Sequence, residues 1–179
     1  MRMTVRGFTL IEATIALAVG AILLGTAIPA WTGALASAHS SSTKAVLLES
    51  LTRSISHAAL AGSEVVLCPG DRSGCRETSD WSDGWIAYAD IDGDRQRDAN
   101  ETLLQIAPAL ASNVHLRTTA GRTRLVIQPN GGNAGSNVTF TLCDARGPAT
   151  ATTLVLANDG RLRGGKPTPD AAQRCVQPM

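Results

Sequence analysis

Apolar residues fill almost every position from Phe8 to Trp31, after which the pattern changes period twice. As a helix, residues 8–28 would extend about 31 Å at ~1.5 Å per residue, close to the thickness of a bilayer's hydrocarbon. The one charge in that stretch, Glu12, would cost roughly 2.5–3.5 kcal/mol near a membrane centre and so calls for a partner. Beyond Pro29 the helical period resumes. Leu47, Leu51, Ile55 and Ala59 recur every four residues with Ala58 alongside, and Lys44, Glu49, Arg53 and Ser54 take the opposite side. Gly62 predicts the stop, and the polar run 37–43 predicts a bend or loosening. The expectation is one helix of roughly 50 residues that starts in a membrane and ends packed against a globular head.

From residue 64 onward the pattern reads as strand. Short β-rich runs at 64–68, 84–89, 102–106, 113–117, 123–128, 138–142 and 153–157 are separated by clusters of Gly, Pro, Asn and Asp. With no helical period between them, they predict antiparallel sheets, one face of which covers the Leu47/Leu51/Ile55 stripe. The segment 130–137 reads as a flexible hairpin loop, and no helix follows it to cradle a phosphate. The tail from Gly164, with Pro167, Pro169 and Pro178, reads as irregular. The fold class is therefore α+β: a long N-terminal membrane-embedded helix packed against a C-terminal antiparallel β-sheet head. The layout is a leader at 1–7, a membrane and assembly helix at 8–31, an amphipathic helix at 32–62, a β-rich head at 63–163 and a tail at 164–179.

About 140 residues remain outside the membrane segment, enough for one domain with its own core. Aromatic residues make up only 3% of the chain, so Val, Leu, Ile and Ala must carry that core. Cys68, Cys75, Cys143 and Cys175 all follow the apolar stretch, and an even count beyond an export signal points to disulfides in an oxidising compartment. Four cysteines allow three pairings. The spacing favours Cys68–Cys75 closing a small loop and Cys143–Cys175 tying down the tail. Zinc is the competitor, but no C-x-x-C spacing and no nearby histidine supports it.

The order Gly7-Phe8-Thr9-Leu10-Ile11-Glu12, ahead of a membrane-length span, resembles the processing site of type IV prepilins and type II secretion pseudopilins. That resemblance implies cleavage by a prepilin peptidase after Gly7 and methylation of the new amino terminus at Phe8. It also implies that Glu12 pairs with the terminal amine of a neighbouring subunit during assembly, and it accounts for Pro29 near the end of the apolar stretch. Three other readings compete. A secretory signal would use Arg2 and Arg6 as its charged start and Ala36-Ser37-Ala38 as its cleavage site, but its apolar region is normally 7–15 residues long. A plain anchor explains the length but not the residue order. A buried core helix is at odds with so long an uninterrupted stretch.

Further along, Leu67-Cys68-Pro69, Cys75, Trp81, Gly84-Trp85, the acidic 90–101 segment, Phe140-Thr141-Leu142-Cys143-Asp144 and Gly160-Arg161-Leu162-Arg163 resemble the GspH/FimT group of minor pseudopilins. The resemblance implies a pilin-like fold and partners among other pilins and minor pilins. It further implies a single-pass inner-membrane protein with a periplasmic head, displayed on a pilus or the cell surface after assembly. The FimT branch is linked to natural transformation, and its Gly-Arg-x-Arg motif to DNA binding. Gly160, Arg161 and Arg163 match that motif. Members tied to type II secretion sit instead at the tip of a pseudopilus.

Charge distribution bears on the same question. The net charge is +1, yet residues 64–110 carry ten acidic and four basic side chains, and residues 111–179 carry eight basic against three acidic. Such asymmetry points to a surface that meets a polyanion, or to arginines that solvate strand faces or pair with the acidic third. In an extended segment Arg161 and Arg163 would project to one side about 6–7 Å apart, similar to successive phosphates. Lys166 and Arg174 would be held near them by Cys175, with Arg146 close to Cys143. Guanidinium groups bind phosphate bidentately, and without base-reading groups such binding would be salt-sensitive and sequence-independent.

Asp90, Asp92, Asp94, Asp98 and Glu101 stand at the first, third, fifth, ninth and twelfth places of an EF-hand-like loop, which invites a calcium reading. Arg95 occupies the place of the usual glycine, and no helix precedes the loop; the competing reading is a solvated acidic hairpin turning at Asp92-Gly93. Trp81 and Trp85 could stack on bases or pack in the core. His39, His57 and His115 are isolated from any nucleophile, metal spacing or paired acid, so no cofactor and no catalysis are expected. The function read from the sequence is DNA capture by a FimT-like minor pilin. The alternatives are a structural tip subunit without DNA binding and an adhesin head.

Overall fold

The computed structural model describes residues 7–177; positions 1–6, with Arg2 and Arg6 of the leader, and Pro178 of the tail lie outside the described residues. The chain divides into two units, one ending at Leu35 and one beginning at Ala36.

Helix α1 (Leu10–Ala61) supplies the described part of the first unit from Leu10 onward and the opening of the second. Its start is a capping box: the Glu12 carboxylate accepts from Thr9 N and Oγ1, while Glu12 N donates to Thr9 Oγ1, all at 3.3 Å. Within this chain, therefore, Glu12 finds its partner in Thr9. The Thr-x-x-Glu spacing that marks such a box is visible in the sequence. The helix runs through Pro29, whose missing N–H leaves the Gly25 carbonyl without its intrahelical donor. Phe8, Leu10, Ile11, Leu17 and Trp31 are all exposed, and the helix is long and apolar enough to cross a membrane by length and composition.

In the second unit α1 passes through 37–43 without a break, contrary to the expected bend. Its buried positions are Ala36, Thr43, Leu47, Ser50, Leu51, Ser54 and Ala58. The stripe thus follows the true period of 3.6, not the fourfold spacing read from Leu47 to Ala59. A step of four residues overshoots a turn by about 40°, so three steps carry Ala59 about 120° away from Leu47. Ala59 is accordingly exposed and Ile55 half-buried. Ser54, expected on the polar side, is fully buried because its Oγ donates to the Ser50 carbonyl at 2.7 Å. The helix stops at Ala61, where Gly62 takes φ 68° and donates to Ala58 O.

Nine strands follow among the described residues: β1 (Glu64–Asp71), β2 (Gly74–Cys75), β3 (Trp85–Asp90), β4 (Leu103–Ala107), β5 (Val114–Thr118), β6 (Leu125–Ile127), β7 (Val138–Asp144), β8 (Thr152–Leu156) and β9 (Leu162–Gly165). The first sheet has the order β2-β1-β3-β4, with β6 also on β1; the second has the order β5-β7-β8-β9. All the pairings are antiparallel. Residues 128–133 turn back on β6, with Ile127 bridged to Asn133, Gln128 N donating to Gly132 O and Ala134 N to Val126 O, so the expected hairpin turn forms, and the chain then crosses to β7 in the second sheet.

Val65, Leu67, Trp85 and Ala87 of the first sheet and Leu116, Phe140, Leu154 and Leu156 of the second join Leu47 and Leu51 in one core. The first sheet's other face buries Val66, Cys68, Ile86, Tyr88 and Val126, so β1 and β3 read as continuous apolar runs rather than alternating ones. Disulfides join Cys68 to Cys75 across the β1–β2 hairpin and Cys143 to Cys175. The tail is not irregular throughout: α2 (Pro169–Val176) follows β9, with Thr168 capping it through a bond from Ala171 N.

Trp85 Nε1 donates to Ser50 Oγ at 3.0 Å, and both residues are fully buried. Replacing Ser50 with alanine removes the acceptor and strands the indole N–H, at a cost of about 1–3 kcal/mol. Thermal unfolding of the Ser50→Ala chain in detergent should show a midpoint lower by several degrees; an unchanged midpoint would mean that this bond contributes nothing.

Candidate functional site

The β8–β9 hairpin is built by a three-residue connection, Asn158-Asp159-Gly160. Gly160 N donates to Ala157 O and Ala157 N donates to Arg161 O, leaving Gly160 in the left-handed region at φ 79°. This is a turn followed by a bulge residue, which favours glycine. Glycine is also required for space, since a Cβ there would lie 2.3 Å from the Gly131 carbonyl oxygen. The crossover segment buttresses the turn: Asn133 N donates to Asn158 O, and Asn158 N donates to Asn137 Oδ1, both at 3.0 Å.

The turn sets which way the residues of β9 point. Leu162 packs into the core, so alternation puts Arg161 and Arg163 on the outer face. Arg163 lies opposite Val155 in the register, and both arginines are exposed.

Their electrostatics differ. Arg161 Nε pairs with Asp159 Oδ2 at 2.6 Å, and hydrogen bonds from Arg161, its backbone N–H foremost, hold the Asp159 carboxyl below its usual value. Both side chains are largely exposed, where such a pair contributes little, and the bond uses only one edge of the guanidinium. Arg174 pairs with Asp170 one turn away at 2.5 Å, also exposed. Arg163 and Lys166 are exposed and form no ion pair among the described residues.

Arg146 does not join this face. Its Nε and Nη2 grip Asp144 at 2.9 and 2.7 Å. Asp144 is buried, and its carboxyl is held low chiefly by the Arg146 side chain, with a further bond from Ser40 of α1. Cys143 turns outward to its disulfide with Cys175, so its neighbour Asp144 turns inward, taking Arg146 to the α1 side.

Arg117 carries no signal in the sequence pattern. Its guanidinium donates to the Arg174 and Gln177 carbonyls, capping the C-terminal end of α2, while Asp80 lies 3.7 Å from its Nε. Only pairing between distant segments brings it there. Helix α2 itself has a local signal: Thr168-Pro169-Asp170 is a cap, a first-turn proline and a first-turn acid. The density of prolines masks it.

Of the five calcium candidates, Asp90, Asp92 and Asp94 come together, with one carboxylate oxygen of each within 4.8 Å of the others. Asp98 and Glu101 do not join them. Glu101 accepts from Ile91 N and Asp98 N, both at 3.0 Å, and Asp90 accepts from Gly93 N and Arg95 N. Arg95 takes φ 60° at the place where an EF-hand-like loop has glycine. Burial pushes the Asp90 carboxyl above its usual value. The carboxylates therefore cap their own loop. Trp81 and Trp85 are fully buried, and Trp81 meets Phe140 edge-on at 5.1 Å, so they offer no stacking surface.

The model of the family described as type II transport protein GspH matches residues 46–160, and that of the prokaryotic N-terminal methylation motif matches residues 2–28. No curated protein matches. Among solved structures, the type IV minor pilin FimU of Pseudomonas aeruginosa (strain PAO1) superposes with a TM-score of 0.53 at 13% identity, over 75% of this chain and 94% of that one. A second crystal form of FimU gives 0.53 at 14%, over 76% and 91%. The minor pseudopilin EpsH from the type 2 secretion system of Vibrio cholerae gives 0.49 at 12%, over 74% and 97%. At such identities the likeness to FimU is one of fold. The GspH match closes at Gly160, so Arg161, Arg163, Lys166 and α2 lie beyond it.

The Asp144–Arg146 pair has a pH signature. A carboxyl held below its usual value of 3.8 contributes stability that is present above that value and is lost as pH falls through the lowered one. Asp144→Asn should therefore melt earlier than the parent chain at neutral pH, and the gap should narrow as pH drops below about 4. A gap that stays constant down to acid pH would refute the assignment.

Proposed function

We propose, from the fact that this chain belongs to the GspH family, that it is a minor type IV pilin that captures DNA without regard to sequence. The observation that carries the reading is the β9 face. Leu162 anchors inward, and on either side of it Arg161 and Arg163 face solvent, with Lys166 exposed three residues on. Two guanidinium groups at that spacing suit adjacent phosphates, each able to offer paired N–H donors. In the second unit Trp81, Trp85, Tyr88 and Phe140 are all buried. Binding therefore rests on backbone charge, which carries no sequence information. Arg174 supports the face from α2, whereas Arg146 serves Asp144. Four engaged cations correspond to a log–log salt slope of roughly −3 to −4 on duplex DNA.

The amino-terminal segment fits the same reading. A peptidase cut between Gly7 and Phe8 would leave the capping box of Thr9 and Glu12 at the new terminus, with the carboxylate close to the amine that assembly must neutralise. The helix then anchors the precursor in the inner membrane, with the head in the periplasm, where Cys68–Cys75 and Cys143–Cys175 can form. The role is non-catalytic. A second reading, a structural tip subunit of a pilus or secretion pseudopilus, is favoured by the ion pairs of Arg161, Arg146 and Arg174 with Asp159, Asp144 and Asp170.

Mass spectrometry of the chain isolated from cells should find a mature form that begins at N-methylated Phe8; a chain still beginning at Met1 would refute the processing. For DNA, mobility shifts of the full chain in nonionic detergent should give salt-sensitive binding to random duplex. The Arg161→Gln/Arg163→Gln variant should bind at least tenfold more weakly, with a slope smaller by about 2. Unchanged retention by that variant, still folded, would hand the protein to the structural reading.

A further inference from the structure

The outer face of the second sheet carries a cleft of about 620 Å³ beside the arginine hairpin. Its floor is Thr139, Thr141, Thr153 and the apolar Val155, with Thr141 and Thr153 only 8% and 6% exposed, and its wall is the segment from Lys166 through α2. The register explains the floor: Thr141 lies opposite Thr153, Thr139 opposite Val155, and Val155 opposite Arg163. The next row ends at Gly165, paired with Thr153, which has no side chain to cover that hydroxyl. Among the described residues the hydroxyls of Thr139, Thr141 and Thr153 make no hydrogen bond to the protein, although the neighbouring Thr118 and Thr119 hydroxyls do.

The charge of the lining is one-sided. Arg117, Lys166 and Arg174 contribute to it, and no carboxylate does. Asp80 and Asp170 engage Arg117 and Arg174 from outside the lining, while Lys166 has no such partner among the described residues. No aromatic side chain lines the cleft either, so it has nothing on which a base could stack. Hydroxyl donors along a floor with cations on the wall match an anion that presents several acceptor oxygens in succession.

We infer that this cleft seats one phosphodiester backbone, continuing from Arg161 and Arg163, with the floor threonines donating to its non-bridging oxygens. This rests on the DNA-binding reading above and extends it by dividing the labour. Cations release counterions and so set the salt slope, whereas neutral hydroxyls add affinity and leave the slope alone.

The test is a titration of the full chain in nonionic detergent against random-sequence duplex and single-stranded DNA of equal length, at several salt concentrations. Thr139→Val/Thr153→Val should weaken binding by roughly two- to tenfold per hydroxyl with the parent's slope, and Thr139→Ser/Thr153→Ser should bind like the parent. A loss confined to single strands assigns the cleft to a separated strand, and a loss with both probes assigns it to either backbone. Parent-like affinity in the valine variant overturns the inference and leaves the arginine reading standing. Serine and valine variants that weaken alike overturn it too, because methyl packing would then be the cause, and this comparison also covers a valine variant that folds poorly. Competition by polyglutamate as effective as by DNA would overturn it in favour of an acidic protein partner. Failure of the parent chain to bind at low salt would remove the DNA reading itself.

Discussion

Between α1 and β3 the Trp85 indole N–H meets Ser50 Oγ in surroundings from which water is excluded. Ser50 Oγ in turn donates a hydrogen bond to the Val46 carbonyl, and Ser54 repeats that arrangement one turn on. These two small residues present little bulk on the helix face, so the sheet can approach closely while each polar group keeps a partner. Leu47, Leu51 and Ala58 then fill the space on either side of them. Both sheets take their inward direction from this seam. Once Phe140, Leu154, Leu156 and Leu162 point toward it, the alternate residues of β7, β8 and β9 have no freedom to do otherwise than face outward.

The arginine face and the threonine cleft therefore follow from the core. Arg163 and Thr139 share a row because Val155 stands between them in the register, and Val155 faces out because Leu154 and Leu156 face in. A one-residue slip of β9 would bury both arginines. The bulge at Gly160, wedged against Gly131, prevents that slip.

Much of this is legible in the sequence. The apolar amino-terminal span, its Gly-Phe junction and the strand runs are local patterns, and local patterns survive folding. The features that escape depend on angle or on distance along the chain. Ala59 reads as part of the stripe because a spacing of four approximates a helical turn, and the error accumulates over three turns. Ser54 looks polar until its hydroxyl finds a carbonyl on its own helix. Residues 130–137 read as a hairpin loop, and their opening does turn back on β6, but only the assignment of β6 and β7 to separate sheets shows that the segment then crosses over. Arg146 stands near Cys143 in the sequence, but adjacent strand residues face opposite ways, which sends it to Asp144 and away from the other cations. The cap on α2 by Arg117 spans nearly sixty residues, beyond the reach of any motif.

That cap also bears on the order in which the molecule comes together. Neither anchor of α2 exists in isolation: the Arg117 guanidinium is positioned only after β5 has paired with β7, and Cys143 faces the right side only as part of the same ladder. Cys68 and Cys75, by contrast, are joined across a hairpin of their own. The first pair can therefore join within its own hairpin, without waiting for the second sheet to assemble. Locking of α2 then acts as a latch on the finished second sheet, so the outer surface is completed only on heads whose interior has already been built.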